Sequence, residues 1–117
     1  MDAHSLVQRY VTMLTADLNA LPSVKAACTG TLDACATALD AMDVASAKAL
    51  ADLQQLPAEP ASVSTEVEDI RYNLRFLHYW GPNIRAGNNS IDEAVRYCEG
   101  DRAHLLSELA KLVSEAP

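Results

Sequence analysis

The sequence has few of the residues that interrupt helices, with four glycines and five prolines among 117 residues. It also has few aromatic residues, namely one Phe, one Trp and four Tyr. Strands are enriched in aromatic and β-branched side chains, whereas Ala and Leu, in which the hydrophobic half of this chain is rich, are the strongest helix formers. This composition argues against a β-rich fold and predicts long helices joined by short loops.

An excess of positive charge and a long apolar run are both missing. The formal net charge is −7 at pH 7, whereas a nucleic-acid or anionic-membrane binder needs a basic face. No stretch of about 18 apolar residues is long enough to span a bilayer. We therefore expect neither a nucleic-acid partner nor a membrane partner.

The beginning of the sequence also lacks the apolar core of a signal peptide, because residues 1–4 are Met-Asp-Ala-His. A cytoplasmic location is the expectation that follows. The three cysteines are Cys28, Cys35 and Cys98, and an odd number without a leader does not indicate a disulfide framework. We expect all three to pack as small hydrophobic side chains.

Four segments carry apolar residues at alternating spacings of four and three, the heptad pattern of packed helices. They span residues 2–21, 23–56, about 65–80 and 91–114. The predicted fold is a single all-α domain over residues 1–117, an antiparallel bundle of about four helices with coiled-coil-like seams. A long helical hairpin, with the second helix against the third and fourth, is the alternative architecture.

Helix boundaries are predicted from caps and breakers. Pro22 either ends the first helix or opens the second. Gly30 is a weak point in a second helix that we expect to be continuous, although Thr31 offers a cap for a restart. Thr65 with Glu68 and Ser90 with Glu93 each fit a capping box, in which two side chains bond each other's free backbone N–H. We expect the third helix to end at the Gly-Pro-Asn sequence of residues 81–83.

The third segment contains four of the six aromatic residues, Tyr72, Phe76, Tyr79 and Trp80. On a continuous helix, three of them lie at i, i+4 and i+7, opposite the apolar seam, so the helix has two apolar faces. Either other elements of the chain cover both faces, or the aromatic face binds a protein or a second copy. Aromatic residues are enriched in protein interfaces, so we predict that these four residues bind a partner.

A basic stripe runs along the same segment, with Arg71, Arg75 and His78 at i, i+4 and i+7 and Arg85 shortly after. Pairing with carboxylates of the chain is the first explanation, since helix two carries Asp33, Asp40 and Asp43, and Glu66, Glu68 and Asp69 begin helix three. The alternative is an anion site, because Arg binds carboxylate and phosphate groups bidentately.

Signatures of metal or catalytic sites are missing. Asp101, His104 and Glu108 share one face of helix four, but a ferritin-type site needs matching ligands from other helices, so we expect a solvated face and no metal. No P-loop, nucleophile elbow or dinucleotide motif occurs, and no cofactor is predicted. The carboxylates at Glu66 to Asp69 and at Asp92 to Glu93 fit helix starts as well as a phosphohydrolase.

The sequence therefore predicts a non-enzymatic helical interaction module, an adaptor or small subunit that binds a protein partner or itself. The alternative is a small helical enzyme or anion-binding protein that uses the basic and aromatic residues of helix three.

Overall fold

The computed structural model describes residues 2–116, and these residues contain helices and no β-strand. The helices are α1 (Ala3–Asn19), α2 (Leu32–Gln55), α3 (Ser64–Leu74), α4 (Trp80–Arg85) and α5 (Ile91–Glu115). Short 3-10 turns precede α2 and α3, and a third follows α3. The predicted all-α fold is confirmed.

The four longer helices pack against one another as a bundle, as predicted. Both α1 and α3 lie against α2 and α5, while the short helix α4 lies across α2. The described chain is elongated, with principal extents of 49, 23 and 18 Å. This shape follows from the lengths of α2 and α5, which are each about 36 Å at 1.5 Å per residue.

The core follows the predicted spacing closely in α2. Its buried residues are Cys35, Ala36, Leu39, Met42, Ser46, Ala49 and Leu53. In α1 the pattern misses Tyr10, which is buried and whose hydroxyl donates a hydrogen bond to the carbonyl oxygen of Pro57. Leu32 fits the four-and-three spacing of the second segment, which predicts burial, but it is exposed because it is the first residue of its helix.

The capping box at the start of α5 is confirmed, because Ser90 and Glu93 each accept a hydrogen bond from the other's backbone N–H at 3.1 Å. The capping box at Thr65 is wrong. There α3 begins at Ser64, directly after a 3-10 turn in which the N–H of Val63 donates to the carbonyl of Pro60. The chain has therefore already begun to turn before Thr65 can cap it.

The prediction of one continuous second helix is also wrong. The helix begins at Leu32, where the hydroxyl of Thr31 accepts from the N–H of Ala34 at 3.1 Å. The preceding residues are held by α5 instead. One carboxylate oxygen of Glu99 accepts from the N–H of Val24 at 2.7 Å and from that of Lys25 at 3.2 Å.

The expectation that no disulfide forms is wrong as well. Cys28 and Cys35 form a disulfide with their Cα atoms 4.2 Å apart, and Cys98 is the free, buried cysteine. The disulfide ties the 3-10 turn before Gly30 to the first turns of α2. The expectation that all three cysteines are free is therefore wrong for Cys28 and Cys35.

The third helix is shorter than predicted. It ends at Leu74, a 3-10 turn follows at Arg75–Leu77, and Tyr79 adopts the left-handed conformation with φ of 67°. The Gly-Pro-Asn sequence of residues 81–83, predicted to end a helix, instead lies inside α4. A sharp corner therefore replaces the last turn of the predicted helix.

Candidate functional site

Three of the four predicted partner-binding residues are exposed large side chains. The exposed fractions are 59% for Tyr72, 51% for Phe76 and 72% for Tyr79, while Trp80 is half-buried against the core. Intramolecular burial, the first explanation for the two-faced helix, does not describe Tyr72, Phe76 or Tyr79.

The aromatic rings form contacts that the helical pattern does not predict. Tyr72 and Phe76 meet edge to face with centroids 4.9 Å apart. Trp80 stacks on Tyr97 of α5 at 5.8 Å, and the guanidinium of Arg96 lies 5.0 Å from the centre of the Tyr97 ring. We call Tyr72, Phe76, Trp80 and Tyr97 the aromatic surface.

The sequence interpretation missed Tyr97 and placed Tyr79 differently. Tyr97 directly precedes Cys98, which we expected to be buried, so its position beside a buried residue of the helix was the available signal. Because the helix ends at Leu74, Tyr79 does not share a helical face with Phe76. Its ring lies 6.0 Å from that of His78 instead.

One carboxylate fixes the corner that positions these rings. In Asp43 of α2, Oδ1 is 2.6 Å from Nδ1 of His78, and Oδ2 accepts from the backbone N–H of Tyr79 at 3.0 Å. The indole N–H of Trp80 donates to the carbonyl of Phe76 at 2.7 Å, closing the corner from the other side. These contacts hold the backbone of Tyr79 in the left-handed conformation, which residues other than glycine rarely adopt.

A cleft of about 350 Å³ opens beside the aromatic surface. Its lining consists of Phe76, Trp80, Arg96, Tyr97, Gly100, Asp101 and His104. In Asp101, Oδ2 is buried and has no hydrogen-bond partner within residues 2–116. Burial, the largest cause, raises the pKa of Asp101 to about 6, while His104 lowers it and Asp69 raises it. The cleft therefore combines aromatic walls with an unsatisfied carboxyl group.

The four predicted anion-binding residues are mostly engaged by carboxylates. Arg71 makes two bonds to Glu59, at 3.2 and 3.3 Å. His78 pairs with Asp43, as above, and Arg85 pairs with Asp40 at 2.8 Å. Arg75 is exposed and forms no ion pair with a residue in 2–116. Arg71 and Arg75 line one shallow depression, which Glu68 and Asp69 also line.

The remaining chemistry-bearing residues lie elsewhere. Burial raises the pKa of the Cys98 thiol to about 12, so at neutral pH it is protonated. A second cleft of about 490 Å³ lies between α1 and α2, lined by Gln8, Arg9, Thr12, Met13, Asp52, Gln55 and Leu56. It contains no aromatic ring. The predicted solvated face of α5 meets Asp69 of α3, a ligand-type residue that the pattern of one helix could not reveal.

Comparison with known protein families, curated proteins and solved structures gives no match for this chain. Within residues 2–116, none of the helices combines the length and the apolar character that crossing a bilayer requires. The functional argument therefore rests on the geometry of the aromatic surface and its cleft.

Proposed function

We propose that the chain is a non-enzymatic interaction module that binds a basic, apolar segment of another protein on its aromatic surface. The observation that carries the proposal is the exposure of Tyr72 and Phe76 beside the cleft lined by Trp80 and Tyr97. Tyr, Trp and Phe supply much of the binding energy when a partner covers them, and Arg, here Arg96, is enriched with them at interfaces.

The cleft supports a basic residue in the bound segment. Its volume of about 350 Å³ suits one or two side chains, and its walls are mainly aromatic. Asp101 lines the cleft, and its Oδ2 has no hydrogen-bond partner within residues 2–116, so its carboxyl group would interact favourably with an arriving ammonium or guanidinium group. Aromatic faces also attract cations.

Long-range charge favours the same partner. The net charge of −7 steers basic protein segments towards the chain and disfavours nucleic acid, whose phosphates would be repelled. A second copy is a competing occupant, but it would bring another net charge of −7 to the interface.

The anion-binding alternative receives less support. Arg71, His78 and Arg85 already bind Glu59, Asp43 and Asp40, so an incoming anion would have to displace a carboxylate from each. A phosphate group would therefore bind there less tightly than at arginines without carboxylate partners.

Selection of displayed random peptides on the full chain tests the proposal. We expect the enriched peptides to combine Lys or Arg with an aromatic or aliphatic residue. Phe76→Ser and Tyr97→Ser should each weaken their binding at least about tenfold, or about 1.4 kcal/mol. Val44→Ser is the matched control, because Val44 is 71% exposed on α2 and does not line the cleft.

Two outcomes would overturn the proposal. If Val44→Ser weakens peptide binding as much as Phe76→Ser does, the aromatic surface is not the docking site. If sedimentation shows a dimer that Phe76→Ser dissociates, the surface is occupied by a second copy. Circular dichroism of both variants confirms that each is folded.

A cytoplasmic location stays a prediction, and the disulfide bears on it. Structural disulfides persist in oxidising compartments and are rare in the reducing cytosol. The Cys28–Cys35 bond therefore counts against the predicted cytoplasmic location and favours an oxidising compartment.

A further inference from the structure

Between α3 and α5, one histidine and two carboxylates lie close enough to share a ligand. Asp69 belongs to α3, whereas His104 and Glu108 belong to α5. One donor atom from each residue lies within 4.8 Å of the other two. The shortest separation is 2.6 Å, between Nε2 of His104 and Oδ2 of Asp69.

The helices place these donors in a way that suits a metal ion. His104 and Glu108 are four residues apart, so they project from the same face of α5 towards the facing helix. The amide of Asn73 donates to Oδ1 of Asp69 at 3.2 Å, leaving Oδ2 directed at His104. Such a second contact orients a ligating carboxylate.

A second histidine–carboxylate pair in the chain provides a comparison. His78 and Asp43 are also 2.6 Å apart, but the other oxygen of Asp43 accepts the N–H of Tyr79. Within residues 2–116, Asp69, His104 and Glu108 are the one group of three possible ligands that comes together. In the pair at His78, both carboxylate oxygens of Asp43 already have hydrogen-bond partners. The pair at His104 instead has a third possible metal ligand, Glu108, beside it.

The surroundings of His104 hold more negative charge than their cations balance. The side chain of Glu108 is 8% exposed, and within residues 2–116 its single ion pair is with Lys111 at 2.9 Å. One turn before His104 on the same helix, Oδ2 of Asp101 is buried without a hydrogen-bond partner in the described chain. Two carboxylates of low exposure thus flank the histidine, and a divalent cation would neutralise the excess.

We propose that Asp69, His104 and Glu108 bind a zinc ion. The proton shared by His104 and Asp69 would be released to solvent, and Nε2 and Oδ2, now 2.6 Å apart, would separate to admit the ion. The carboxylate of Glu108 would exchange its contact with Lys111 for the ion. An imidazole with carboxylates suits zinc and its neighbours in the first transition row, whereas magnesium and calcium prefer oxygen ligands alone. Because His104 also lines the aromatic cleft, a fourth position would open to a molecule bound there.

Calorimetric titration of the full chain with Zn²⁺ tests the proposal. We expect one ion per chain with micromolar or tighter affinity. His104→Ala and Glu108→Gln should each weaken binding at least tenfold, with circular dichroism showing that both variants are folded. Co²⁺ titration adds a spectroscopic readout, since an ion held in a four- or five-coordinate site absorbs visible light much more strongly than the hydrated ion, and His104→Ala should abolish this increase.

The chain contains two other histidines, which serve as matched controls. His4→Ala and His78→Ala should retain the affinity of the wild type. Wild-type binding weaker than micromolar would overturn the proposal. So would an affinity that His104→Ala leaves unchanged or that His78→Ala abolishes. Peptide docking is measured on the metal-free chain, so a failure of zinc binding and a failure of docking in the cleft that His104 also lines are distinguishable.

Discussion

The indole ring of Trp80 stacks on the phenol ring of Tyr97, with centroids 5.8 Å apart and planes inclined by 23°. This contact connects the short helix α4 to α5 and forms one wall of the cleft. Trp80 is the only tryptophan of the chain, so its fluorescence reports on the wall directly.

Removing the stacking partner should expose the indole. We expect Tyr97→Ala to shift the Trp80 emission to longer wavelength, while the free energy of unfolding falls by only about 1 kcal/mol, because Tyr97 is 54% exposed. Tyr72→Ala is the control, since its ring contacts Phe76 rather than the indole. An unchanged emission in Tyr97→Ala would contradict the stacked arrangement.

Two glycines should respond to alanine in opposite directions. A Cβ at Gly81 would overlap Oδ1 of Asp40 and lie 3.0 Å from the carbonyl oxygen of Ala36, so Gly81→Ala should destabilise the protein by about 1–3 kcal/mol. A Cβ at Gly100 meets nothing within 4 Å, so Gly100→Ala should gain about 1 kcal/mol of helix propensity. Denaturant unfolding measures both, and equal effects would contradict the close packing of α4 on α2.

Thiol counting with an aromatic disulfide reagent tests the cysteine assignment. The folded protein should show no reactive thiol at pH 8, because Cys98 is buried with a pKa of about 12. Denaturant alone should release one thiol, and denaturant with reductant should release three, the total in the chain. Three thiols without reductant would exclude the disulfide, whose loss should cost about 2.5 kcal/mol of stability.

Asp17 should make stability depend on pH. Burial, and secondarily the neighbouring carboxyl group of Asp52, raise the pKa of Asp17 above its ordinary value of 3.8, so the folded state favours the protonated carboxyl group. A raised pKa contributes stability at low pH that is lost as pH rises through the folded value. The loss of folding stability caused by the ionised Asp17 carboxylate is therefore greatest at neutral pH.

Asp17→Asn should consequently stabilise the protein by about 0.5–1 kcal/mol at pH 7 and by nothing below pH 4. The amide oxygen can still accept from Lys48, which lies 3.1 Å from Asp17. Urea unfolding across this range measures the difference between variant and wild type. A difference that grows towards low pH would contradict the assigned direction.

The sequence predicted the core of the helices well, because heptad spacing records which side of a helix is buried. It failed where contacts join distant residues. Two errors share one cause, since a continuous helix through Gly30 would hold Cys28 and Cys35 about 10 Å apart. The break in the helix brings their Cα atoms to 4.2 Å and permits the disulfide.

The candidate sites show the same division. The sequence alone identified Tyr72, Phe76 and Trp80 as an unusual cluster, because most of the aromatic residues of the chain lie in one segment. The contact between Asp43 and His78 and that between Asp69 and His104 each join residues 35 positions apart. Local periodicity carries no information on such contacts. The corner at Tyr79 and the approach of Asp69 to His104 therefore became visible only in the folded chain.

Nuclear magnetic resonance titration of the labelled chain with a selected basic, apolar peptide tests the docking proposal most directly. The indole N–H signal of Trp80 and the backbone signals of Phe76 and Tyr97 should shift together, with the largest changes around the cleft. Shifts confined instead to the cleft between α1 and α2, with an unmoved Trp80 indole, would contradict docking on the aromatic surface.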